Sequence, residues 1–343
     1  MDKLLEVKNL QISFPTYAGE VQAVRNVSFE INEKETVALV GESGCGKSVT
    51  AKAIMGLVQQ RQGQVSSESE ILFKGKNLLT MSEKEWQNFR GKDCSIVFQD
   101  ALAALNPTIK VGKQIKEVLK YHKKISSKKQ DEMAIEILRQ CGIQNPEYCM
   151  RKYPMELSGG QRQRIMIAIA LICHPELLIA DEPTTALDVT IQAQILELIA
   201  QLQKSMGISV LLITHDLGVV AQNAHRVIVM YAGKIIEEGS VDDIFEHPQH
   251  PYTWALLNAV PKMELDKAKN LESIEGTLPS LIHPPKGCPF SERCKYCMHI
   301  CNEMEPEMKT IKTRHKVACH LQHEWADRSG IPFEIGGVND GEC

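Results

Sequence analysis

Apolar and polar residues along the first sixty positions predict two strands followed by a helix. Val21–Ile31 alternates as a half-buried strand does, and Thr36–Val40 is a short β-rich run that stops at Gly41. From Lys47 onwards the apolar positions favour a helix: Ala51, Ala53, Ile54 and Leu57. The segment therefore predicts a strand, a glycine turn and a helix in direct succession.

A longer helical stretch is predicted over Leu119–Gly142. Ser126 or Ser127 can cap it and Gly142 can end it. Its apolar stripe consists of Ala134, Ile137, Leu138 and Cys141. The run is amphipathic, as expected of a helix that covers a core.

Continuous apolar runs predict buried parallel strands further along the chain. They are Leu177–Ala180 and Val210–Thr214, and Val227–Tyr231 is a third strand that enters a turn. Strands that alternate with helices predict an α/β domain with a mainly parallel sheet. The pattern fails after about Val260, where prolines lead into a cysteine cluster, so we place a domain boundary there, between residues 1–260 and 261–343.

Composition narrows the function classes. The chain has 343 residues, 43% hydrophobic and 24% charged, which is ordinary for a globular protein. A net charge of -4 gives no electrostatic case for nucleic acid as the main partner. No apolar run reaches the roughly eighteen residues of a spanning helix, and the N-terminus has no apolar signal core. We therefore expect a cytosolic protein that reaches any membrane through a partner.

The sequence 41–48, GESGCGKS, matches the phosphate-binding pattern G-x-x-x-x-G-K-[ST]. Glycines let several backbone N–H groups point at one anion, and the following helix adds its positive N-terminus. Lys47 would reach the β- and γ-phosphates, and the Ser48 hydroxyl would ligate Mg²⁺. We assign nucleotide contacts to Gly41, Ser43, Gly44, Cys45, Gly46, Lys47, Ser48 and Val49.

Two carboxylates end the apolar strand at 177–180. Asp181 is placed to hold Mg²⁺, directly or through water, and Glu182 to polarise an attacking water. Many strands end in an acidic turn, so the two carboxylates alone are weak evidence for a Mg²⁺ site. They become strong evidence because a phosphate-binding loop precedes them in the chain.

A second glycine-rich turn, Leu157–Arg164 (LSGGQRQR), also opens a helix and is a second anion site. One nucleotide does not need two such cradles from one chain. We therefore expect Ser158, Gly160 and Gln161 to cap the γ-phosphate of a nucleotide held by a partner's loop. A simple serine N-cap would explain Ser158 but not the whole string.

Together these motifs resemble the ATPase subunits of ABC transporters over roughly the first 260 residues. The resemblance implies a P-loop α/β domain, with a RecA-like core, an antiparallel β-subdomain and a helical subdomain at about 100–165, plus a small Cys-rich extension. It implies ATP and Mg²⁺ as cofactors. It also implies that Gln99 is the Q-loop residue that senses Mg²⁺, Asp188 belongs to the D-loop in Ala186-Leu187-Asp188, and His215 contacts the γ-phosphate.

The same resemblance implies an aromatic residue that stacks on adenine near the N-terminus. Tyr17 is the first choice and Phe14 the alternative.

A finer resemblance, to the ATPase subunits of dipeptide and oligopeptide importers, covers nearly the whole chain. It rests on Leu105-Asn106-Pro107, Tyr153-Pro154, His250-Pro251-Tyr252-Thr253 and the stretch from Gly287-Cys288-Pro289-Phe290 to Cys319. Ala101 departs from the family, which usually has proline there. The resemblance implies a heterodimer with a paralogous ATPase, two permease subunits and an extracytoplasmic solute-binding protein, at the cytoplasmic face of the membrane.

The alternatives stay open at this point. Relatives also import nickel complexes and other solutes, and peptide is favoured because many nickel-type relatives lack the C-terminal extension. A soluble ABC protein that acts on ribosomes or nucleic acid is a different class. Such proteins usually carry two cassettes or a long coiled-coil insertion, which this chain lacks.

Five of the eleven cysteines fall between Cys288 and Cys319, and in a reducing cytosol that density suggests metal. Residue type alone allows zinc, an iron–sulfur cube or free buried thiols. Cys294 and Cys297 form a short zinc-like pair. The spacings of 5, 6 and 17 residues in the set Cys288, Cys294, Cys301 and Cys319 are unlike paired zinc knuckles. The peptide-importer resemblance implies that these four bind a [4Fe–4S] cluster.

Overall fold

A computed structural model of the chain describes residues 2–58, 62–184, 187–259, 274–333 and 335. Ala186, Cys343 and the boundary expected near Val260 lie outside these ranges. Numbered along the chain, the strands are β1 (Lys3–Thr16), β2 (Gly19–Asn32), β3 (Thr36–Val40), β4 (Gln64–Val65), β5 (Glu70–Phe73), β6 (Lys76–Asn77), β7 (Cys94–Val97), β8 (Leu177–Asp181), β9 (Ser209–Ile213), β10 (Arg226–Tyr231), β11 (Lys234–Ser240), β12 (Lys309–Lys312) and β13 (His315–Val317).

The helices are α1 (Lys47–Ile54), α2 (Glu83–Phe89), α3 (Ala101–Ala104), α4 (Val111–His122), α5 (Ser127–Gln140), α6 (Pro146–Cys149), α7 (Gly159–Leu171), α8 (Val189–Met206), α9 (Leu217–Asn223), α10 (Val241–Glu246), α11 (Pro251–Asn258) and α12 (His299–Glu303). Short 3-10 turns lie at Leu78–Thr80, Pro154–Glu156, Ser291–Arg293 and His320–Gln322.

The strands of the described residues form two sheets. A small antiparallel sheet has the order β2-β1-β5-β6, with β4 paired to β1. The larger sheet has the order β12-β13-β11-β10-β3-β9-β8-β7, and it is parallel from β10 to β7. Every residue of β3, β8 and β9 is buried, as expected of parallel strands covered on both faces.

Three apolar clusters hold these layers together. One lies among helices α4, α5, α7 and α8 on one face of the large sheet. The second fills the space between the small sheet, α1 and the opposite face. The third includes Tyr231, Tyr252, Cys288 and Phe290, so the C-terminal segment packs directly on the sheet. The carboxyl ends of β3 and β8 are thereby fixed next to each other across β9.

The structure confirms the predicted strands and the mainly parallel sheet. The helix predicted from Lys47 ends at Ile54, and Leu57 follows it because Gly56 adopts a left-handed φ of 62°. The stretch predicted as one helix over 119–142 is two helices, α4 and α5, so that prediction was wrong in its continuity. Ser126 explains the break: its backbone is extended and its side chain accepts a bond from the Lys129 N–H, which starts α5 anew.

No helix within the part of the chain that the structure describes is both long and apolar enough to cross a membrane.

Candidate functional site

The phosphate-binding loop lies between β3 and α1. Gly41, Gly44 and Gly46 have positive φ angles of 147°, 84° and 106°. A Cβ at Gly46 would lie 2.5 Å from the carbonyl oxygen of Ala23, so no larger residue fits there without a shift. Lys47 is 4% exposed, and its Nζ donates to the carbonyl oxygens of Gly41 (2.8 Å) and Glu42 (2.9 Å). The ammonium therefore lies within the curve of the loop.

The two groups expected to hold Mg²⁺ contact each other. The Ser48 hydroxyl lies 2.7 Å from Oδ1 of Asp181, which ends β8. Burial raises the pKa of the Asp181 carboxyl above its usual value, while its bond to Ser48 opposes that shift. Two oxygen donors side by side fit Mg²⁺, which takes hard oxygen ligands and keeps several waters.

The three expected catalytic side chains lie together, because Gln99 and His215 both approach the Glu182 carboxylate. The Gln99 amide donates to Oε2 of Glu182 (3.1 Å), and Nδ1 of His215 lies 3.6 Å from Oε1. Gln99 follows β7, Glu182 follows β8 and His215 follows β9, so adjacent parallel strands deliver all three. Glu182 itself has a φ of 48°, an uncommon conformation for a residue with a side chain.

Ala101, where the family resemblance leads one to expect proline, is the first residue of α3. Asp100 caps this helix by accepting from the N–H groups of Leu102 and Ala103. The first helical position suits proline because its N–H has no intrahelical partner, and alanine is equally compatible with a helix. The departure therefore leaves the Q-loop turn intact.

The second glycine-rich turn opens α7 through a reciprocal cap. The Gln161 N–H donates to the Ser158 hydroxyl (3.3 Å), and the Ser158 N–H donates to the Gln161 side chain (3.1 Å). A Cβ on Gly160 would lie 2.9 Å from Ile191 of α8. Asp188 caps that helix by accepting from the Ile191 N–H (3.0 Å). In the described residues Ser158 and Gln161 thus bond each other and not the first loop.

The two adenine-stacking candidates differ in setting. Tyr17 is fully exposed at the turn between β1 and β2, whereas Phe14 packs partly against the apolar cluster beneath the small sheet. The C-terminal segment reaches the same turn: the Gln22 N–H donates to the Leu281 carbonyl (2.8 Å), and a Cβ on Gly19 would lie 2.8 Å from Ile282.

The cysteines of the C-terminal segment lie near one another, but the expected metal site is not found. Within the described ranges no three His, Cys, Asp or Glu side chains lie close enough to hold a metal ion. Burial, together with the neighbouring cysteines, raises the pKa of the Cys288 and Cys294 thiols to about 12. Burial also raises the pKa of Cys319. Backbone N–H groups two residues further along donate to these three sulfurs.

An apolar groove of about 520 Å³ lies beside the Q-loop, between the sheet and the helical region. It is lined by residues that include Leu57, Phe98, Leu105, Val118, Tyr121 and Ile169. Phe98 and Tyr121 expose much of their surface there. One lining residue, Phe98, directly precedes Gln99 in the chain, so the groove lies at the start of the Q-loop.

One further contact of the site could not be predicted from the sequence. The Glu42 N–H donates to the hydroxyl of buried Tyr252 (2.9 Å), and the Glu42 carboxylate pairs with Arg293 (2.9 Å). Both partners lie more than 200 positions along the chain, beyond the reach of any local pattern.

Comparison with known proteins gives two family matches. Residues 24–185 match the family described as ABC transporter, and residues 236–301 match the oligopeptide/dipeptide transporter C-terminal region. The oligopeptide transport ATP-binding protein OppD of Bacillus subtilis (strain 168) is 55% identical, over 97% of this chain and 93% of its own. The dipeptide transport ATP-binding protein DppD of the same organism is 53% identical, over 96% and 98%.

Two solved structures resemble the fold. The ATP-binding cassette MJ0796, in a dimeric post-hydrolysis state bound to ADP and Pi, gives a TM-score of 0.62 at 27% identity, over 69% of this chain and 98% of that one. CbiO1 of Clostridium perfringens, part of an ABC transporter complex, gives 0.61 at 28% identity, over 72% and 92%.

Proposed function

The chain belongs to the ATP-binding subunits of ABC transporters, and from that premise we propose that it hydrolyses ATP to drive import of dipeptides or oligopeptides. The observation that carries the hydrolysis is the meeting of Gln99 and His215 on Glu182. The observation that carries the substrate class is the match of residues 236–301 to the peptide-transporter C-terminal region.

In this proposal each group has one task. The loop N–H groups of Gly41 and of residues 43–48, with the Lys47 ammonium, bind the phosphates, and Val49 continues the contact into α1. Ser48 and Asp181 would hold Mg²⁺, with Gln99 as a further ligand from the Q-loop, and the ion would neutralise charge on the phosphates.

Glu182 then holds and orients the attacking water. A carboxylate fixed by two neighbours loses little freedom when the water arrives, so its alignment for in-line attack is prepared in advance. His215 lies on the opposite carboxylate oxygen from Gln99, beside Glu182, and we assign it the contact with the γ-phosphate. Tyr17, or Phe14 in its place, stacks on the adenine.

The signature turn acts on a second ATPase chain. We propose that Ser158, Gly160 and Gln161, with Asp188 behind them, close on the nucleotide held by a paralogous subunit. Support comes from the glycine-rich turn at the N-terminus of α7, since a helix N-terminus carries partial positive charge that favours an anion. The cassette MJ0796, similar in fold, is itself a dimer.

Permease subunits supply the membrane path, and we propose that the apolar groove beside Gln99 receives a cytoplasmic helix from one of them. An apolar groove of this size suits the apolar face of a short amphipathic helix. The chain then sits peripherally on the cytoplasmic face, with an extracytoplasmic solute-binding protein delivering the peptide and no nucleic acid involved.

Co-purification tests this arrangement. Tyr121→Asp places a charge in the groove at an exposed position, so the chain should still fold but lose its co-expressed permeases on purification from membranes. Tyr148→Asp, at a similarly exposed tyrosine outside the groove, is the matched control and should retain them. A wild-type chain that never retains the permeases would favour the alternative of a non-transport ABC ATPase.

We also propose that Cys288, Cys294, Cys301 and Cys319 bind a [4Fe–4S] cluster. Support comes from the backbone N–H groups that donate to the sulfurs of Cys288, Cys294 and Cys319, because such donors stabilise the thiolates that a cluster requires. The cluster would fix a loop-rich segment.

Metal analysis distinguishes the cluster from zinc. Anaerobically purified chain should be brown with about four iron atoms, the stoichiometry of the cube. Cys301→Ala should lose that iron, whereas Cys297→Ala, at the exposed fifth cysteine, should keep it. Colourless anaerobic protein with one zinc and no iron would contradict the cluster.

A further inference from the structure

One arginine of the C-terminal segment reaches the phosphate-binding loop. Arg293 ends the 3-10 turn Ser291–Arg293, and its side chain is 6% exposed. Its Nη1 lies 2.9 Å from Oε2 of Glu42, the second residue of the loop. The ion pair therefore joins the C-terminal segment directly to the element that binds the nucleotide phosphates.

The guanidinium is held in place by groups other than Glu42. Its Nε donates to the Glu275 carbonyl (2.8 Å) and its Nη2 to the Ile274 carbonyl (3.1 Å). Nη1 also donates to the Tyr231 hydroxyl (3.2 Å), and the guanidinium lies 5.8 Å from the centre of the same ring. Because a planar guanidinium bonded on several edges cannot turn freely, Arg293 is a fixed positive charge beside the loop.

Glu42 is correspondingly fixed at its backbone as well as its carboxylate. Its N–H donates to the Tyr252 hydroxyl (2.9 Å), and its carbonyl accepts from Lys47 (2.9 Å). The Glu42 N–H therefore points at Tyr252, and its carboxylate is held toward Arg293.

The negative charge of the Glu42 carboxylate opposes the binding of a triphosphate by this loop. The loop must attract a triphosphate, and a unit negative charge nearby repels it unless an opposite charge compensates. Arg293 is the compensating charge in contact with Glu42. We propose that Arg293 is a positioning residue for ATP binding, which neutralises and holds the Glu42 carboxylate so that the loop presents Lys47 and its N–H groups to the phosphates. The inference rests on the ATP site described above.

The binding of Mg·ATP to the full chain tests the proposal. Arg293→Met should weaken binding about tenfold, which is the order of magnitude for one uncompensated unit charge at an effective dielectric constant of about 20. The loss should shrink at high salt, because the Glu42 carboxylate left without a partner is partly exposed and salt screens its repulsion of the phosphates. Arg328→Met is the matched control: Arg328 also donates to backbone carbonyls of the C-terminal segment, and its loss should change affinity less than about twofold.

Removal of the negative charge of Glu42 tests whether Arg293 acts on ATP binding through Glu42 or only stabilises the fold. Glu42→Gln in the Arg293→Met background should restore affinity to within about twofold of wild type, because no unpaired carboxylate remains. Glu42→Gln alone should bind Mg·ATP at least as tightly as wild type, and this variant needs no stable Arg293→Met protein. The proposal is overturned if Glu42→Gln alone weakens binding tenfold, if it fails to rescue Arg293→Met, or if Arg293→Met binds normally.

Discussion

Glu182 is held in an uncommon backbone conformation by its surroundings. Its φ of 48° costs energy for a residue with a side chain, and its N–H donates to the Ile213 carbonyl (2.9 Å) at the end of the adjacent strand β9. The side chain is then shared between Gln99 and His215. Such a conformation persists because β8 and β9 determine it, and it turns the carboxylate toward the neighbouring strand ends.

Replacement of Glu182 by glutamine should separate binding from turnover. Glu182→Gln keeps both phosphate cradles, so Mg·ATP binding should change less than about threefold, whereas turnover should fall at least about a hundredfold with the loss of the base. The measurement is phosphate release by the assembled transporter beside equilibrium ATP binding. Glu132→Gln, an exposed carboxylate of α5, should keep normal turnover. Near wild-type phosphate release by Glu182→Gln would refute the assignment.

The role of a residue could be predicted from the sequence where all the residues that act with it lie in one short motif. The loop at 41–48 and the pair Asp181-Glu182 are such motifs, because their roles depend on neighbours within a few positions. The Arg293–Glu42 pair could not be predicted in this way, since the two residues are 251 positions apart and neither lies in a diagnostic pattern at its own end.

Helices α5 and α7 both begin with a serine N-cap, but we assign a functional role to only one of the two serines. Ser158 caps α7 and Ser126 caps α5, each by accepting from the N–H three residues on. We propose that only the first cap also faces a partner's nucleotide. Local sequence predicted both caps, but it did not predict that Ser126 divides one amphipathic run into two helices, because an N-cap needs an extended backbone that an uninterrupted helix excludes.

Loss of each cap should cost similar stability and different activity. Ser158→Ala and Ser126→Ala should each lower the free energy of unfolding by about 1 kcal/mol. In the assembled transporter only Ser158→Ala should reduce ATP turnover, by at least about tenfold, because it removes a group from the transition state. Thermal unfolding and phosphate release measure the two effects. Equal turnover in the two variants would place Ser158 outside the shared site.

The large sheet unites the cassette with the C-terminal segment. The hairpin β12–β13 pairs with β11, so residues 309–317 continue the sheet that positions the nucleotide loop. Buried Glu237 of β11 stabilises this pairing. It accepts hydrogen bonds from His315 (2.8 Å) and from the N–H groups of Gln249 (2.6 Å) and His250 (3.0 Å). The sequence predicts β2, β3, β8, β9 and β10, but not β11, β12 or β13. The order of the strands and the pairing of β13 with β11 depend on contacts between distant parts of the chain.

Import of peptide by the assembled transporter tests the central claim most directly. Proteoliposomes would contain this chain, its paralogous ATPase and both permeases, with the solute-binding protein outside and ATP inside, and labelled peptide uptake would be measured together with phosphate release. The account predicts uptake that requires ATP and is lost with Glu182→Gln in this chain. Uptake that persists when this chain is omitted, or ATP turnover with no peptide accumulation, would contradict it.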